Sequence, residues 1–163
     1  MSNPGLVAAS RAAVLAGLAG GTADILTAFV IYRPATPVVI LQSVASGLLG
    51  PAAFQGGTPS AAVGLVAHFV VSLLFAALFV AVATQAPVLL RRPVLSGLGF
   101  GVVVYGVMNA IVVPLSMAPA RPAPPPPMIG LGLMAHAFFG IALAFTAARR
   151  LKSARQASMT LTH

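Results

Sequence analysis

Four apolar runs, at approximately 12–32, 62–82, 94–115 and 129–148, constrain this chain more than any other feature. Each is about twenty residues long, enough at about 1.5 Å per residue to cross a hydrocarbon core of roughly 30 Å as a helix. Outside them lie all of the charges but Asp24. Hydrophobic residues make up 59% of the chain and charged ones 6%, where a soluble domain has roughly a quarter charged. So few charges cannot clothe a surface in water. The expectation is an all-α fold: a polytopic four-helix transmembrane bundle forming one domain over residues 1–163.

The basic residues orient such a bundle. Arg11 precedes the first run, Arg91 and Arg92 separate the second from the third, and Arg149, Arg150, Lys152 and Arg155 follow the fourth. Only Arg33 and Arg121 fall on the other side. The positive-inside rule therefore makes both termini cytoplasmic, with the 33–61 and 116–128 connections outside, and bacterial inner membrane is the expected location. The first run reads as a retained anchor, because no small-residue cleavage site follows it. The terminal basic run acts as a topology determinant and can touch anionic headgroups of membrane lipids. A net charge of +8 does not imply nucleic acid as a partner, since no aromatic platform accompanies the basic residues. Cysteine is absent, which removes thiolate chemistry and Cys-based metal sites.

The two external connections differ. PVVILQSVASGLLG at 37–50 is apolar, long enough for three helical turns and too short to span, which fits an external interfacial or re-entrant helix. Gln42, Ser43 and Ser46 share one face of it, and the Gly56–Gly57 pair ends the segment that follows. PARPAPPPP at 119–127 reads as a stiff extended connector.

The two halves repeat weakly. GLVAHFVVSLLFA at 64–76 parallels GLMAHAFFGIALA at 132–144, and GLAGG at 17–21 parallels GLGFG at 97–101. Helical hairpins at about 12–82 and 94–148 run in the same direction, so a parallel rather than inverted repeat is expected. His68 and His136 are matched by that repeat. Asp24, the only acidic residue, and Asn109 fall at similar depth, with Tyr105 on the face of Asn109. An i,i+4 ladder puts Gly64, His68 and Ser72 in one line and Gly132, His136 and Gly140 in another. An ionised Asp24 facing lipid would be costly, so it should face protein, water or a polar partner. His68 and His136 are candidate haem ligands, with Gly64 and Gly132 leaving room for the ring. Without a cofactor, the same layer forms a histidine–carboxylate hydrogen-bond network, with Asp24, Tyr105 and Asn109 as its other polar members. Gln42 and Gln55 are placed to cover it from outside.

GGTADI at 20–25, LQSVASGLLGPAAFQGG at 41–57, GLVAHF at 64–69, YGVMNAIVVPLS at 105–116 and GLMAHAFFGIALA at 132–144 resemble a family of uncharacterised bacterial four-helix inner-membrane proteins. The resemblance covers nearly the whole chain. It implies fold and location but no activity.

No hydrolase motif, dinucleotide fingerprint, phosphate loop, zincin sequence or acidic pair is present, so no independent enzymatic activity is expected. The leading expectation is a structural or accessory subunit of a larger inner-membrane assembly, partnered by other integral-membrane subunits. A haem-binding electron-transfer module and a small ion- or proton-handling transporter are the alternatives.

Overall fold

The computed structural model describes residues 4–120 and 122–160, without the side chains of Pro4, Arg155 and 157–160. Arg121 and the Arg155 side chain, both used to orient the chain, lie outside the described residues. Every regular element among the described residues is helical. In order they are α1 (Pro4–Ile31), α2 (Pro37–Leu49), a 3-10 segment (Gly50–Gln55), α3 (Gly57–Gln85), a 3-10 turn (Pro87–Leu90), α4 (Pro93–Val107), a π turn (Met108–Val112), α5 (Val113–Leu115) and α6 (Pro126–Thr160). Pro37 and Pro93 open their helices, where a missing N–H costs no hydrogen bond. Thr36 also caps α2 by accepting from the Val39 N–H.

Five helical stretches, not four, are long and apolar enough to cross a membrane. The fifth is Pro37–Gln55, where α2 and the 3-10 segment join end to end. By itself α2 has 13 residues, a rise of about 20 Å. Its packing is inverted relative to a helix lying on a wet surface. Gln42 and Ser46 are buried against protein, while Val38, Val39, Leu48 and Leu49 face outward. Left-handed glycines stand at both ends of the 3-10 connection, Gly50 at φ 62° and Gly57 at φ 56°.

α1 is central, flanked by α3 on one side and α6 on the other; α4 packs against α6, and α2 against α3. The interior is built largely of alanine, including Ala12, Ala16, Ala76, Ala83, Ala144 and Ala147. Many large side chains point outward, among them Leu18, Val66, Leu74, Val102 and Leu115. Small residues inside let backbones approach closely and gain dispersion contacts. Exposed apolar area on this scale marks contact with a partner surface or a membrane.

Glycines make the closest approaches, and the contacts come in pairs. Gly17 of α1 meets Leu73 of α3, while Gly97 of α4 meets Ile141 of α6. Gly21 meets Phe69, and Gly101 meets Ala137. In the sequence alignment of the two halves, these are equivalent pairs.

The α4 rod widens at Met108–Val112 before Pro114. A proline ring collides with the carbonyl four residues earlier and offers no N–H. The wider turn relieves this, with the Val113 N–H donating to the Met108 carbonyl five residues back.

Candidate functional site: an Asp–His–His cavity between four helices

Asp24 of α1, His68 of α3 and His136 of α6 line one cavity of about 50 Å³. The remainder of its wall is Val71, Ser72 and Phe75 of α3, Val104 of α4, Met108 of the π turn and Phe139 of α6. The two histidines lie eleven and ten residues into their helices (Gly57 to His68, Pro126 to His136). That puts both imidazoles about 15 Å along. Both stand further from their helix ends than from the ends of the apolar runs, because both helices begin several residues before those runs.

His136 Nδ1 is 2.9 Å from the Gly132 carbonyl one turn earlier and 3.9 Å from Asp24 Oδ1. A carbonyl only accepts, so Nδ1 carries the proton and donates it there. The carboxylate is then near the imidazole without a hydrogen bond to it. Asp24 Oδ1 is buried and has no hydrogen-bond partner among the described residues. Leaving a buried acceptor unsatisfied costs about 1–3 kcal/mol, more for a charged one. A proton, a water or a cation would satisfy it.

His68 is held differently. Its Nε2–H donates to the Gly21 carbonyl at 2.8 Å, tying α3 to α1 and leaving Nδ1 as an acceptor. Ser72 donates to the His68 carbonyl, and the Phe69 ring meets the imidazole edge-on. Tyr105 stacks edge-to-face on His136 with centroids 5.3 Å apart. Asn109 is not part of the cluster. It is exposed and donates to the Tyr105 carbonyl, while Val104 and Met108 present their face of the helix to the cavity. Gln42 instead donates to the Gly57 carbonyl, and Gln55 is exposed; neither lines the cavity.

The space expected for a haem ring is taken. A Cβ on Gly64 would strike the backbone of Leu41 in α2, and one on Gly132 would meet the Tyr105 ring. The first glycine admits a helix and the second an aromatic side chain. A cavity of about 50 Å³ suits one or two waters at about 30 Å³ each, and the porphyrin has no slot. Among the described residues, no group of three or more His, Cys, Asp or Glu is arranged to hold a metal ion.

Asp24 and His136 side chains retain 19% and 22% of their exposure, and the geometry of α3 and α4 accounts for the access. α1 and α6 close tightly where Gly20 meets Phe139 and Leu143. At the equivalent position of α4 stands Phe100, wedged against Phe75 and Phe79 with centroids 6.4 and 5.1 Å away. Phe75 is the repeat equivalent of Leu143. One seam carries a glycine and closes; its counterpart carries a phenylalanine and stays apart. Sequence reasoning aligned these positions without assigning Phe100 a role, although the glycine-to-phenylalanine mismatch was visible.

No protein-family model, curated protein or solved structure matches this chain.

Proposed function

We propose that this protein handles protons or small cations within a membrane, using Asp24 as the binding group with His136 and His68 beside it. One observation carries the reading: the buried Asp24 oxygen lacks a hydrogen-bond partner while facing a water-sized cavity that both histidines share. Ionisable groups inside apolar helices are costly and commonly mark ion or proton paths. The carboxylate gives a particle of small size and positive charge somewhere to bind. His68, with Nδ1 free, can accept a proton passed through a cavity water.

The reading includes four spanning helices (α1, α3, α4 with α5, and α6) in a bacterial inner membrane, with cytoplasmic termini and α2 with its 3-10 segment as a re-entrant hairpin. The inward polar face and outward apolar face of α2 support the re-entrant arrangement. The paired glycine contacts support a parallel duplication of the hairpins at about 12–82 and 94–148. The likeness to bacterial four-helix inner-membrane proteins belongs to the same proposal.

The test is proton flux into vesicles containing purified protein, driven by an imposed pH gradient. Asp24→Asn keeps the size of the side chain and removes the titrating group, so flux is expected to fall to that of protein-free vesicles. Flux unchanged in Asp24→Asn overturns the proposal.

A second reading, an accessory subunit of a larger membrane assembly, is favoured by the outer face of α4. Gly99 and Gly106 have open space where a Cβ would stand, and Val102 and Val103 beside them are exposed. Small residues one and two turns apart let a partner helix approach.

A further inference from the structure

A second cavity lies at the basic end of the bundle, remote from Asp24. It measures about 230 Å³ and is bounded by Pro87, Leu90 and Arg91 from the 3-10 turn region and by Leu151 and Lys152 from the end of α6. Leu90 and Leu151 are buried and belong to the main core, so they fix the turn against α6 and form a rigid apolar floor. Arg91 and Lys152 are exposed at the rim. Their charges have no acidic side chain to meet: Asp24 is the only one in the sequence, and it lies in the central cavity. Two cations over an apolar floor, at the charged end of an apolar bundle, match a ligand with an anionic head and a hydrocarbon body.

We infer that the cleft between Arg91 and Lys152 binds the phosphate of an anionic phospholipid, with the first part of its acyl region against Pro87, Leu90 and Leu151. The inference rests on membrane embedding but on no part of the proton-handling reading. Two features argue for a lipid over a free anion. The floor is apolar, which inorganic phosphate cannot use, and the site lies where headgroups would stand if the basic end is at the interface. Each basic residue near an anionic surface contributes to attraction by a modest electrostatic increment. A shaped cleft adds position to that attraction, so two of the basic residues should matter more than the rest.

The experiment is native mass spectrometry of the full chain released from nanodiscs of phosphatidylcholine containing a minor fraction of phosphatidylglycerol. Wild-type protein should retain one phosphatidylglycerol in preference to phosphatidylcholine. Arg91→Gln/Lys152→Gln should reduce that retention roughly tenfold or more, following the loss of two basic contacts. Arg11→Gln/Arg150→Gln removes the same charge outside the cleft and should retain the lipid. Equal loss in both double variants would reveal diffuse charge attraction and overturn the site. Displacement of the lipid by millimolar inorganic phosphate would overturn the lipid assignment. A chain that stays soluble without detergent and fails to enter nanodiscs would instead defeat membrane embedding itself.

Discussion

At the scale of single residues, the sharpest contrasts are between glycines on the same helix. A methyl group on Gly101 would overlap the His136 carbonyl, whereas one on Gly99 meets nothing within 4 Å. Overpacking costs about 1–3 kcal/mol, while alanine in an open helical site gains up to about 1 kcal/mol over glycine. Gly101→Ala should therefore lower the thermal unfolding midpoint in detergent and Gly99→Ala should hold or raise it. Equal tolerance of both would mean that α4 and α6 do not approach as closely as described. His68 gives a second residue-scale expectation. His68→Ala removes the bond to the Gly21 carbonyl, a net loss of about 0.5–1.5 kcal/mol, measurable by the same melting experiment. The matched heights of the two histidines in their helices were legible from the GLxAH strings, but the bond from His68 to α1 was not, since its acceptor is a main-chain carbonyl and carries no residue signature.

At the scale of elements, two placements turn on the size of a single residue. Phe100 separates α3 from α4 where Gly20 lets α1 and α6 close. Phe100→Gly should bring the two helices together. The chain has no cysteine, so Val71→Cys/Val104→Cys reports this directly, as disulfides need Cα atoms within about 7 Å. Oxidative cross-linking should be faster in the Phe100→Gly background; an unchanged rate would remove Phe100 as the spacer. The other placement is α2, whose backbone at Leu41 occupies the space beside Gly64. Gly64→Leu should expel it, and Ser46→Cys, buried in the parent protein, should then react with maleimide. Protection of Ser46→Cys in the Gly64→Leu protein would show that α2 is held by other contacts.

At the scale of the whole molecule, the proposed orientation and the proposed partner face each have a direct test. Reporter fusions at Met1, Arg91, Pro124 and His163 should read in, in, out and in, and an external signal at either terminus would defeat the proposed topology. If α4 docks on a partner, Gly99→Leu/Gly106→Leu should abolish co-migration with other membrane proteins on a native gel. It should not unfold the chain, since both positions are open in the isolated molecule. Co-migration that survives the substitution would count against that face as the interface.

The sequence alone determined the helical class, the apolar character of the long helices and the matched heights of the two histidines in theirs. These depend on composition and on a rise per residue that is the same for every helix. It also placed Asp24 toward the interior, because an isolated carboxylate in lipid is too costly to face outward. Tertiary structure alone decided the use made of each small residue. Gly64 and Gly132 admit Leu41 and Tyr105 instead of a ring. Val104 and Met108, not Asn109, face the cavity from the fourth long helix. α2 turned its polar side inward. In each case the deciding contact joins residues distant in sequence. A periodic pattern specifies which residues share a helix face, but not which neighbour that face will meet.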